Sequence, residues 1–117
     1  MLTRKGRFSF LIPMDYGDKI KPYPIPKNKY KELLAGVHST LQREFGGYSS
    51  YHNQKNPIQG SWIAPNGTIV QDRHTLYMVL TEEVNRARRF FRYYKGEIQK
   101  KFKQQLVAIV EETIDII

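Results

Sequence analysis

Asn66-Gly67 and Phe45-Gly46-Gly47 bracket an aromatic-rich span, and together they decide where the chain leaves a helix and folds back as a β-hairpin. Asn-Gly between apolar runs is the strongest short-range hairpin signal, because a two-residue type I′ turn needs positive φ at both central residues. Such a turn fixes a register. Pro65 falls opposite Thr68, Ile63 opposite Val70, Trp62 opposite Gln71, Ser61 opposite Asp72 and Gln59 opposite His74. Asp72 and His74 then share a face with Ile63 and Val70, while Trp62, Ile69, Tyr77 and Val79 gather on the other. Leu76-Tyr77-Met78-Val79-Leu80 is apolar on both faces, which predicts a central strand covered on both sides.

Before the hairpin, Arg7 to Ile12 reads as a first strand ended by Pro13, with residues 1–6 as an N-terminal tail. Met14 to Pro26 is a long connection in which Pro22, Pro24 and Pro26 exclude helix. Pro26 suits a helix start, and Tyr30, Leu34, Val37, Leu41 and Phe45 recur at helical spacing up to the Gly46 cap. His38 lies at the edge of that stripe, as a partly buried structural histidine would. Gly36 weakens the helix and predicts close packing on the sheet. Tyr48 to His52 reads as a strand that is interrupted at 54–57 and resumes at Ile58. Thr81 can cap a second helix carrying Val84, Ala87, Phe91, Tyr94, Ile98 and Phe102 on one stripe. The β-branched ends at 106–110 and 113–117 favour a last strand over more helix.

The order is β-α-β-β-α-β in a single domain over residues 1–117: an α+β, ferredoxin-like arrangement, with two helices on one face of an antiparallel sheet. On Phe45-Gly46-Gly47, Gly60-Ser61-Trp62, Asn66-Gly67 and Asp72, the chain resembles short uncharacterised bacterial proteins of ferredoxin-like, dimeric α+β type. The resemblance spans about residues 7–110 and implies a fold and self-association, without a reaction.

The formal charge of +8 is unevenly spread. Residues 1–31 carry eight Lys or Arg against Asp15 and Asp18, and residues 84–103 carry eight against Glu97. Arg86, Arg88, Arg89, Arg92, Lys95, Lys100 and Lys103 surround the apolar stripe of the second helix and are the candidates for nucleic acid or an acidic protein. With no cysteine, disulfides, thiolate chemistry and zinc fingers are excluded, and a reducing compartment is the natural setting. No apolar run reaches the ~20 residues of a membrane span, and the first five residues lack a signal peptide's apolar stretch, so a cytoplasmic protein without membrane contact is expected.

Three functions fit. The first is a non-catalytic homodimeric binding or accessory protein, with Trp62, Ile69, Tyr77 and Val79 as the interface, since an open sheet face must be covered. The second is nucleic-acid or other polyanion binding through the basic helix, with tyrosines stacking on bases. The third is a small enzyme or ligand-binding protein using Asp72 and His74 with His52 or Tyr48; a carboxylate two residues from an imidazole on one strand face can share a ligand with it. No nucleophile or oxyanion device completes that group, and a polar end to an apolar strand is the simpler reading. His38, His52 and His74 come from separate elements, so no metal is expected, and no cofactor.

Overall fold

Phe8, Phe10 and Ile12 are buried while their neighbours Arg7, Ser9 and Leu11 are not, and this period of two along the first strand sets the layers of the molecule. The computed structural model describes residues 3–17, 23–52, 58–63, 66–104 and 106–117, with the backbone alone for 58–60, 62 and 70–72. The elements are β1 (Thr3–Pro13), β2 (Asp15–Tyr16), β3 (Tyr23–Pro24), α1 (Lys27–Phe45), β4 (Ser49–Tyr51), β5 (Ile58–Ile63), β6 (Ile69–Thr81), α2 (Val84–Lys101) and β7 (Ile109–Ile116). The fold is α+β. Its main sheet runs β4-β6-β1-β7, every pairing is antiparallel, and β5 follows β4 along the same edge of β6. Among the described residues, no helix is long and apolar enough to cross a membrane.

Both helices cover the same sheet face. α1 buries Tyr30, Leu34, Val37 and Leu41, and α2 buries Ala87, Phe91, Tyr94 and Ile98, as their spacing predicts. Phe91 joins the layers, with its ring 5.1 Å from Phe8 and 5.4 Å from Phe45. Gly46 ends α1 in the left-handed conformation at φ 77°, donating its N–H to Gln42 O. Thr81 does not cap α2 directly; Glu83 holds the cap position, and the Thr81 hydroxyl accepts its N–H.

Several expectations are corrected. Residues 3–6 belong to β1 rather than to a tail, because β7 supplies partners from Thr3↔Ile116 to Gly6↔Thr113. Gly36 faces solvent with open space around it, so it marks no close packing. β7 starts at Ile109, which leaves Leu106 to Ala108 outside the ladder. The hairpin register is shifted by one residue: Ile63 pairs with Ile69, Trp62 with Val70, Ser61 with Gln71, Gly60 with Asp72 and Ile58 with His74. Gly67 has the expected positive φ, but Asn66 does not; its side chain instead accepts the Thr68 N–H at 3.0 Å. An Asx turn inside a longer loop therefore replaces the type I′ turn. β6 is central as predicted, but among the described residues both helices cover the same one of its faces. Tyr77 and Val79, expected at an interface, are buried in the core beneath the helices, at 0% and 1% exposure.

Candidate functional site

The polar side chains beneath α1 form two linked groups. The α1 stripe points Tyr30 and His38 at β6, whose helix-facing residues there are Thr75 and Tyr77. Thr75 Oγ1 lies 2.8 Å from the Tyr30 hydroxyl and 2.8 Å from His52 Nδ1, and the Tyr30 hydroxyl reaches Ile12 O at 3.2 Å. A carbonyl can only accept, and this fixes the direction of the chain. Tyr30 donates to Ile12, Thr75 donates to Tyr30, and His52 donates from Nδ1 to Thr75. In its neutral form, His52 therefore keeps its lone pair on Nε2. In the second group His38 Nε2 meets the Tyr77 hydroxyl at 2.7 Å, while Tyr48 stacks on the His38 ring at 4.9 Å.

Burial sets the ionisation of this cluster. It pushes the Tyr30 phenol up to about 12 and raises Tyr77 further, so both are neutral donors at any ordinary pH. Burial first, and the nearby charge of His52 second, lower His38 and favour its neutral imidazole. These contacts tie α1 to β6 and to the two residues that flank β4, Tyr48 and His52.

The enzyme candidates are divided. Tyr48 and His52 lie on the helix side with His38. His74 lies on the opposite face, where it lines a depression of about 450 Å³ with Leu11, Leu76, Leu106 and Val110. The side chain of Asp72 lies outside the described residues, as does that of Trp62. Among the described residues, no three His, Asp or Glu side chains converge where a metal ion could sit. Thr75 was missed by sequence reasoning. Its signal was a hydroxyl at the head of an otherwise apolar run, in register with helix positions that carry Tyr30 and His38.

The basic helix is partly committed to intramolecular pairs. Arg86 reaches Glu83 at 2.8 Å and Glu44 at 3.3 Å, and Arg88 holds Glu111 through bonds of 3.0 and 2.6 Å. Lys103 lies over the Tyr16 ring at 4.8 Å. Arg89, Arg92, Lys95 and Lys100 are exposed and make no ion pair among the described residues.

On the face without helices, Leu11 pairs with Leu76, Ser9 with Met78 and with Val110, and Tyr51 with Leu76. Leu11, Leu80, Tyr51 and Val110 are 41%, 41%, 45% and 52% exposed. The signal for this face was the apolar composition of β6 on both sides. Compared with models of known families, with curated proteins and with solved structures, the chain matches none.

Proposed function

We propose that this chain is a non-catalytic binding protein that works as a homodimer, joined through the sheet face its helices leave open. The observation that carries the reading is the row Leu11, Leu76, Met78, Leu80 and Val110: β6 is apolar on both faces, and among the described residues neither helix covers its even-numbered face, where Leu11, Leu80 and Val110 stay exposed. Four strands at ~4.8 Å spacing and the span from Leu76 to Leu80 at ~3.3 Å rise give roughly 300 Å² in projection, the size of apolar patch that marks an association site.

Charge favours a second copy on this face. A two-fold interface brings each patch against itself, so it tolerates little net charge. The cationic excess sits on the helices, whereas β1 and β7 bring to the open face Lys5 and the paired Arg7 and Glu112, with bonds of 2.9 and 3.0 Å. The sheet edge is less suited, because β7 carries Glu111, Glu112 and Asp115, and such charges on an edge strand oppose edge-to-edge pairing. A ferredoxin-like architecture is supported by the same layout: β1 lies between β6 and β7, and the β4–β5 strand follows on the far side of β6.

Sedimentation equilibrium tests the reading. Wild type should be dimeric at micromolar concentration, and Leu11→Asp should be monomeric with an unchanged circular dichroism spectrum. A monomeric wild type would refute the proposal.

A further inference from the structure

A cleft of about 460 Å³ lies between α2 and the C-terminal strand, on the side of the molecule that the sheet-face dimer does not use. It exists because α2 ends at Lys101 and the chain rejoins the sheet only at Ile109, opposite Phe10, so that helix and strand diverge. Its floor is apolar, made by the buried Phe8, Phe91 and Val107. Its rim is cationic, made by Arg88, Arg92 and Lys95. Arg88 is held by Glu111, while Arg92 and Lys95 are exposed with no ion pair among the described residues.

We propose that this cleft binds a small amphipathic anion, with its apolar body on Phe8, Phe91 and Val107 and its carboxylate or phosphate head on Arg92 and Lys95. The volume falls in the usual range of small-ligand sites, ~300–1,000 Å³, and an apolar floor with a few convergent polar groups is their usual lining. The guanidinium fork of Arg92 matches either head group in two parallel hydrogen bonds, and Lys95 adds a point charge. The bidentate Arg88–Glu111 pair bridges α2 and β7 at the rim of the cleft.

The same rim argues against a nucleic acid as occupant. Duplex binders use many phosphate contacts, and here two uncommitted cations stand beside Glu111 on an acidic strand. A phosphate backbone would also leave the apolar floor unused. A compact ligand with one charged head satisfies both surfaces.

The test uses the full chain, ¹⁵N-labelled, titrated with octanoate, octyl phosphate, 1-octanol and acetate. Octanoate or octyl phosphate should shift the Lys95 and Ala108 amides saturably, and the stronger of the two names the head group. Octanol, which lacks the charge, and acetate, which lacks the body, should bind at least ~tenfold more weakly. Arg92→Gln with Lys95→Gln should weaken the alkyl anion at least ~tenfold while keeping wild-type thermal stability, because both side chains are exposed. Leu11→Asp, on the opposite face, should leave this affinity unchanged whether or not it abolishes dimerisation. Octanol binding as tightly as octanoate, shifts confined to the open sheet face, or unaltered affinity in the double variant would overturn the proposal. So would salt-dependent binding of a duplex oligonucleotide with no response to either alkyl anion.

Discussion

Nε2 of His38 and the hydroxyl of Tyr77 lie 2.7 Å apart beneath α1, joining a helix residue to the central strand through a single hydrogen bond. Tyr77 is fully buried, so this bond decides whether its hydroxyl is satisfied. Tyr77→Phe should cost about 1 kcal/mol, seen as a lower denaturation midpoint in urea with the slope unchanged.

The same pair predicts a pH dependence. Burial lowers the His38 pKa, so the unfolded chain takes up a proton at a higher pH than the folded one. The contribution is complete above the unfolded value of about 6.5 and is lost as pH falls through the lower folded value. Thermal stability should therefore decline on acidification from about pH 7 to about pH 5, and less steeply in His38→Gln. Equal slopes in the two proteins would remove His38 from the explanation.

Two glycines should respond to alanine in opposite directions. A Cβ built on Gly17 would stand 2.6 Å from Lys103 O, a backbone atom that cannot swing away, where the residue after β2 meets the turn that follows α2. Gly17→Ala should destabilise by ~1–3 kcal/mol as an overpacked site. A Cβ on Gly36 would meet nothing within 4 Å in the middle of α1, so Gly36→Ala should stabilise by up to ~1 kcal/mol through helix propensity. Calorimetry of both variants checks the signs.

Much of the fold was legible because periodicity carries it. Tyr30, Leu34, Val37 and Leu41 were placed by helical spacing, as were Ala87, Phe91, Tyr94 and Ile98, and tertiary packing follows those stripes. The hairpin register was not legible. Asn66 spends its side chain on the Thr68 N–H instead of adopting positive φ, and a one-residue change in loop length flips every side chain beyond it. Assigning Tyr77 and Val79 to an interface failed for a related reason. β6 is apolar on both faces, so composition could not say which face the helices take; that choice rests on contacts with Phe10 and His38, far away in sequence. The candidate cleft was half visible. Its cations stood out on α2, but its apolar floor is assembled from β1, α2 and the segment before β7.

Lys103 holds a left-handed backbone at φ 50°, the position after the α2 cap where glycine is usual, and the Gln104 N–H closes the turn onto Gln99 O. Lys103→Gly relieves a backbone penalty of ~1 kcal/mol or more but removes the cation from the Tyr16 ring, a contact worth ~0.5–1 kcal/mol at an exposed site. The two effects nearly cancel, so the melting temperature should be close to wild type. Lys103→Val keeps neither advantage, since a β-branched residue suits this φ worst, and it should melt lower than both.

The last prediction concerns β7, an edge strand tied to the body by three arginine–carboxylate pairs: Arg4 with Asp115, Arg7 with Glu112 and Arg88 with Glu111. Hydrogen bonds from Arg88 hold the Glu111 carboxyl below its usual range. For a depressed carboxylate the contribution is present above the unfolded pKa and is lost as pH falls through the folded one. All three pairs are exposed, so each is weak by itself and screened by salt. The position of Glu111 on an edge strand makes its loss local, because the core strand β6 depends on burial instead. Amide hydrogen exchange, corrected for the intrinsic rate at each pH, should show β7 losing protection between about pH 6 and about pH 3 while Tyr77 and Val79 keep theirs. Glu111→Gln should reproduce part of that loss at neutral pH, and high salt should do the same in wild type. Equal loss of protection in β6 and β7 would mean that acid unfolds the whole domain, and that the Arg88–Glu111 pair does not govern the strand.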